Sequence, residues 1–248
     1  MISAIILAGG LGTRLRTVVS EVPKPLAPIS SRPFLEYLMD YWIDQGVDHI
    51  ILAVGYRADQ IIRHFGYSYR SIPIEYSVEL EPLGTGGGLL LAANKLPHGQ
   101  SHFLLLNGDT YFEVNLSDLI QTSASSKADW VFSLLESDDK ERYTSIKLGE
   151  ANRIISFENR SKDFQFSGYV NGGVYWVSRT ALDPFMIEVN KYASLENEIF
   201  PMALKSNQKM IGLVVQGRFI DIGVPGDYKR ANDNFFKNAN SNTTRELN

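Results

Sequence analysis

The stretch IILAGGLGTRLR, Ile5–Arg16, decides how this chain is read. Four apolar residues, Ile5 to Ala8, have the texture of a buried strand, and the next eight positions hold Gly9, Gly10, Gly12, Thr13, Arg14 and Arg16. Glycines placed there let the chain turn sharply and bring backbone N–H groups close to an anion with no Cβ in the way. The carboxyl end of a strand is also where ligands collect in open α/β sheets. Lys24 follows in PKP, where Pro23 and Pro25 restrict the backbone on both sides of the ammonium. Fixed cations beside bare backbone suit a polyphosphate. The pattern lacks the GK[ST] of a Walker loop, and Leu15 stands where a dinucleotide fingerprint needs its third glycine.

Working outward, strand-like runs alternate with amphipathic helical stretches: Ile2 to Leu7, a helix near Phe34 to Gln45, His49 to Val54, and a helix around Asp59 to Phe65. The pattern goes on with Ile74 to Val78, a helix around Gly87 to Lys95, and Phe103 to Leu106. The near-continuous apolar runs predict a Rossmann-like, doubly wound, mostly parallel sheet in an α/β fold. From about residue 128 the texture becomes β-rich, through Trp130 to Leu135, Thr144 to Leu148, Arg153 to Phe157 and Gly168 to Val177. A last helix is expected from Pro225 to about Lys237. The expected organisation is one domain over 1–238, in which 128–220 elaborates the sheet of 1–127, with a flexible polar tail at 239–248.

The chain has 248 residues, no cysteine and a net charge of −4. Thiolate catalysis and thiolate metal sites are thereby excluded, so any metal must sit on oxygen or imidazole. The acidic balance argues against a broad nucleic-acid surface. No apolar run approaches the roughly 18 residues of a membrane span, and no basic stretch precedes the first apolar run as in a signal peptide, so a cytoplasmic location is expected. His49, His64, His98 and His102 show no ligand spacing and are assigned to surface or packing roles.

GGLGTRLR followed by PKPLAPI resembles the signature of the sugar-phosphate nucleotidyltransferases, the pyrophosphorylase family. The resemblance implies a GT-A-like fold with a β-rich sugar-binding elaboration. It implies catalytic roles for Arg14 and Lys24 and nucleotide contacts from Leu7, Gly9, Gly10, Gly12 and Thr13. Asp109 in FLLLNGDTYF and Asp221 in FIDIGVPGDY match family positions that hold a divalent cation, here Mg2+. Magnesium keeps several waters, so two carboxylates plus phosphate oxygens suffice. The sugar phosphate is itself an anionic nucleophile, so positioning and charge neutralisation can supply most of the catalysis.

In YSVELEPLGTGGG, Tyr76–Gly88, a strand ends in an acid-bearing turn before glycines open a helix, the layout in which this family reads its base. The resemblance places Glu79, Gly84 and Thr85 there. A carboxylate accepts two hydrogen bonds side by side, which suits the donor edge of guanine better than the mixed edge of uracil or thymine. That favours GTP. On the sugar side, ISFENRS and YVNGGVYW resemble family segments, implying contacts from Gly108, Glu158, Asn159, Arg160, Asn171 and Gly172. Asn159 and Arg160 depart from the usual Glu and Lys, and Arg is not a neutral replacement for Lys. SLENEIFP, Ser194–Pro201, is read as a helix start capped by Ser194, with no catalytic role.

Over its whole length the sequence is most similar to D-glycero-α-D-manno-heptose 1-phosphate guanylyltransferases, which implies GTP and a heptose 1-phosphate as substrates. Mannose 1-phosphate guanylyl transfer, uridylyl transfer to another sugar 1-phosphate, a catalytically silent nucleotide-sugar-binding paralogue and a nicotinamide-dependent oxidoreductase stay open as alternatives. So does assembly into a homo-oligomer.

Overall fold

The computed structural model describes residues 1–15, 17–137, 145–158 and 168–236. Among the described residues, fourteen strands succeed one another as β1 (Ser3–Leu7), β2 (Pro28–Ile29), β3 (Arg32–Pro33), β4 (His49–Val54), β5 (Ser68–Tyr69), β6 (Ile72–Val78) and β7 (His102–Asn107). They continue as β8 (Thr110–Phe112), β9 (Trp130–Ser137), β10 (Ser145–Leu148), β11 (Ile154–Glu158), β12 (Gly168–Ser178), β13 (Met210–Val214) and β14 (Phe219–Asp221). The α-helices are α1 (Phe34–Asp44), α2 (Ala58–Phe65), α3 (Gly84–Ala93), α4 (Leu116–Ser126), α5 (Phe200–Lys205) and α6 (Pro225–Arg230).

Strands β7, β1, β4 and β6 lie side by side and parallel. Their alternation sorts residues to two faces. Ala4 and Ile6 of β1 join Ile50, Leu52, Leu104 and Leu106 in one core, while Ile5 joins Ile51, Ala53, Phe103 and Leu105 in the other. α1 covers the first face with Leu35, Leu38, Met39 and Trp42, and α3 covers the second with Leu89 and Leu90. β1, β4 and β7 are covered on both faces, which is why their sequences run almost without polar alternation, whereas β6 exposes Pro73, Glu75 and Val78.

The chain adds β4 and β6 on one flank of β1, then crosses back to place β7 on the other. The carboxyl ends of β1 and β7 therefore form a topological switch point, where a crevice opens. The long strand β12 pairs antiparallel with β7, β10 and β9, so the β-rich part extends the same sheet. Its register shifts between Asn171 and Tyr175.

Two expectations need amendment, and one helix is not marked by the sequence. α3 starts at Gly84 rather than Gly87, because Gly86 and Gly87 both donate to the Ala193 carbonyl and leave no room for Cβ atoms against 191–193. The last helix is α6 followed by a π-type turn over Ala231–Phe235, and Lys237 lies outside the described residues, as do Thr144, Asn159, Arg160 and the tail. α4 is not foreseen from the sequence: Leu116, Leu119 and Ser123 form its buried face, but its second half, QTSASS, has weak helical propensity and is held by packing. Among the described residues, no helix is long and apolar enough to cross a membrane.

Candidate active site

A cleft of about 810 Å³ opens at the switch point. It is lined by the glycine loop from Leu7 to Arg14, by Lys24, by Glu79, Gly84 and Thr85, by Asn107 to Thr110, and by Asn171 and Asp221. Most residues singled out from the sequence thus meet in one place.

The glycine loop is short of regular structure and is held by one apolar anchor. Leu15 is buried, and a turn forms around it as its N–H donates to the Gly12 carbonyl and its own carbonyl accepts from Val18 and Val19. Gly12 takes φ +60°, and a Cβ there would lie 3.2 Å from the Lys24 Cβ, so the loop folds over the lysine stem. Arg14 remains exposed at the mouth. Arg16 lies outside the described residues.

Lys24 opens a short 3-10 turn, Lys24–Leu26, set by its flanking prolines. Its side chain is only 10% exposed, and its ammonium donates to Asp109 Oδ2 and stands 3.9 Å from Asp221 Oδ1. Those aspartates are far apart in sequence, and strand pairing joins them. β7 ends at Asn107, Gly108 and Asp109 turn the chain into β8, and β8 pairs with β14 so that Thr110 lies opposite Asp221. Ile222 N–H then donates to the Asp109 carbonyl at 3.0 Å. The turn is tight because Gly108 N–H bonds the Leu7 carbonyl at 2.9 Å, and a Cβ on Gly108 would sit 2.5 Å from that oxygen.

Burial works to raise the pKa of Asp109. The charge and hydrogen bond of Lys24 outweigh it, helped by Thr110 and Arg14, and hold the carboxyl below the usual carboxylate range. Asp221 is braced by Gly223 N–H at 2.6 Å. Two neighbouring carboxylates provide hard oxygen ligands, and no group of three or more acids or histidines is placed to hold a metal ion among the described residues. Such a pair fits a magnesium ion completed by phosphate and water, rather than a metal caged by protein alone.

Glu79 sits between the loop and α3. Its Oε2 accepts from Leu83 N–H at 2.9 Å, and its Oε1 lies where a Cβ on Gly9 would come within 2.5 Å. Burial raises its pKa, only partly offset by the Leu83 hydrogen bond. One carboxylate oxygen is therefore already engaged by backbone, which the sequence does not reveal.

On the sugar side, Asn171 turns into the cleft at the β12 irregularity. It donates to the Tyr175 hydroxyl at 2.6 Å and accepts from Gly173 N–H at 3.0 Å. Gly172 is buried behind it against the Phe112 ring and does not line the cleft. Glu158 ends β11 opposite Ser145. Ser194 caps its turn as expected, accepting from Asn197 N–H at 3.1 Å.

That turn and the segment before it also bring to the cleft residues whose role the sequence does not mark: Tyr192, Glu196 and Asn197, with Asn107, Pro82 and Phe219 from elsewhere. The available signal was the proximity of SLENEIFP to GTGGG, and it exists only in three dimensions. None of the four histidines lines the cleft; His49 is buried between Ser3 and Glu75.

A family profile described as nucleotidyl transferase matches residues 3–238. Over 228 residues the chain is 39% identical to a D-glycero-alpha-D-manno-heptose 1-phosphate guanylyltransferase of Aneurinibacillus thermoaerophilus, covering 92% of this chain and 96% of the relative. It is 32% identical over 231 residues to a mannose-1-phosphate guanylyltransferase of Mycobacterium tuberculosis, covering 92% of this chain and 63% of that protein. Among solved structures, HddC from Yersinia pseudotuberculosis complexed with GMP-PN superposes with a TM-score of 0.80 at 36% identity, covering 94% of this chain and 99% of the other.

Proposed function

Because the chain belongs to the nucleotidyl transferase family, we propose that it transfers GMP from GTP to D-glycero-α-D-manno-heptose 1-phosphate, giving GDP-heptose and pyrophosphate. The observation that carries this reading is the convergence of the glycine loop, Lys24, Asp109 and Asp221 on one cleft. The guanylyl and heptose choices draw on the 39% identical relative and on the Yersinia complex with a guanine nucleotide analogue.

In this reading residues 1–127 hold the nucleotide and 128–220 the sugar. Backbone N–H groups of Gly9, Gly10 and Gly12, with Leu7 and Thr13, cradle the triphosphate. Glu79, beside Gly84 and Thr85, accepts hydrogen bonds from the guanine edge. Gly108 and Asn171 meet the sugar phosphate, with Glu158, Asn159, Arg160 and Gly172 assigned to that side from sequence alone. An oxygen of the sugar phosphate attacks the α-phosphorus of GTP, and the bond to the β-phosphate oxygen breaks. Lys24 and Arg14 bear the charge that gathers on the departing pyrophosphate. Asp109 and Asp221 would hold Mg2+, which when bound supplies further neutralisation of that leaving group. No protein nucleophile or general base is required. The reaction takes place in the cytoplasm and feeds bacterial surface polysaccharide synthesis.

Mannose 1-phosphate is the second reading, favoured by the 32% identity to a mannose-1-phosphate guanylyltransferase. Pyrophosphate release measured across the four common NTPs and a panel of sugar 1-phosphates tests both. GTP with heptose 1-phosphate is expected to give the highest kcat/KM, and no release with any pair would overturn the proposal.

A further inference from the structure

Four carboxylates line the cleft among the described residues: Glu79, Asp109, Glu196 and Asp221. Three are committed. Asp109 and Asp221 flank Lys24, and Glu79 is wedged against the glycine loop with Leu83 N–H on one oxygen. Glu196 is different. Its Oε2 receives the Thr85 hydroxyl at 3.1 Å and the Ser194 hydroxyl at 3.2 Å, and Thr85 in turn accepts Leu195 N–H at 2.9 Å. Both donors grip one oxygen, so the carboxylate is oriented while Oε1 has no hydrogen-bond partner among the described residues.

A second acceptor lies on the same lining. Asn107 Oδ1 is buried and has no partner among the described residues. A buried acceptor left unpaired costs free energy that a ligand donor would return once the Asn107 side chain turns its oxygen toward the cleft. Between them lies Tyr175, whose hydroxyl accepts from Asn171 and feels both Asn107 and the charge of Glu196.

Two acceptors that need donors are poor company for phosphate, which offers oxygens. They suit hydroxyl groups. We propose that Glu196, with Asn107 beside it, reads the hydroxyls of the sugar and is a specificity-determining residue for the sugar 1-phosphate. This rests on the guanylyltransferase reading above.

The test is Glu196→Gln in the full chain, with steady-state kinetics in which GTP and the sugar 1-phosphate are varied separately. The amide keeps an oxygen for Thr85 and Ser194, so the turn should persist and melting temperature checks that it does. Loss of a charged acceptor is expected to raise KM for the sugar phosphate by about tenfold or more, while KM for GTP stays within about twofold. Glu196→Asp, which keeps the charge but withdraws it by one methylene, should raise the sugar KM less, and reads the same split if the Gln variant does not fold. Wild-type turnover with an unmoved sugar KM in the variants, or with both KM values rising together, overturns this inference alone. Wild-type protein that releases no pyrophosphate from GTP with heptose or mannose 1-phosphate overturns the proposed function and this inference with it.

Discussion

The two walls of the cleft are built in opposite ways. The wall proposed for the triphosphate, Leu7 to Arg14 with Lys24, is mostly backbone, drawn from one stretch of chain and shaped by glycine and proline. The wall proposed for the sugar is mostly side chain, gathered from Asn107, Asn171, Tyr192, Glu196 and Asn197, which lie in separate segments. Backbone recognition serves a ligand that does not vary, since the triphosphate is common to all nucleotides. Side-chain recognition leaves room to change substrate without disturbing the phosphate cradle.

If that division is right, changes on the nucleotide wall should lower turnover for every sugar alike. Lys24→Ala and Arg14→Ala are expected to cost roughly 10²- to 10³-fold in kcat, comparable to deleting one transition-state donor, whichever sugar phosphate is supplied. Sugar-dependent losses would break the comparison. Asp109→Asn and Asp221→Asn should each lower turnover by roughly 10²-fold, and added Mg2+ should restore little of it. Near-normal rates in both would remove the two-aspartate site. Chelation of divalent cations should silence the wild type, with Mg2+ restoring it.

Two smaller effects sharpen the account of how the walls are held. Gly108→Ala would force a Cβ to 2.5 Å from the Leu7 carbonyl, and overpacking of this kind costs about 1–3 kcal/mol, measured by denaturant unfolding. Glu79→Gln should gain thermal stability relative to wild type as pH rises. Burial raises the folded-state pKa of Glu79, so the stability it contributes is present below the unfolded value and is lost as pH climbs through the folded one. The melting-temperature difference, Gln variant minus wild type, should therefore grow as pH rises above the ordinary carboxyl range of about 4. A difference that stays flat would mean that the carboxylate is not desolvated.

The same contrast explains what the sequence disclosed. The glycine loop and the apolar runs of β1, β4 and β7 were legible because their physics is local: a strand covered on both faces must be apolar throughout, and a backbone anion site needs glycine. Asp109 and Asp221 were each legible as residues at strand ends. Their adjacency was not, since it depends on the β8 and β14 register that sets Thr110 opposite Asp221. Glu196 was hidden for the same reason. Ser194 explained its own turn as a cap, and only the fold shows that the turn docks on Thr85 and presents a carboxylate to the cleft. α4 was missed because packing on Leu116 and Leu119 overrides a sequence poor in helix formers.

The central claim is direct attack of a sugar phosphate on the α-phosphorus of GTP, with no covalent nucleotidyl-enzyme. Exchange of labelled pyrophosphate into GTP tests it most directly. The account predicts exchange only when an accepted GDP-sugar is present, whether added as such or formed from GTP and an added sugar 1-phosphate. Exchange with GTP and pyrophosphate alone, or none under any condition, would contradict it.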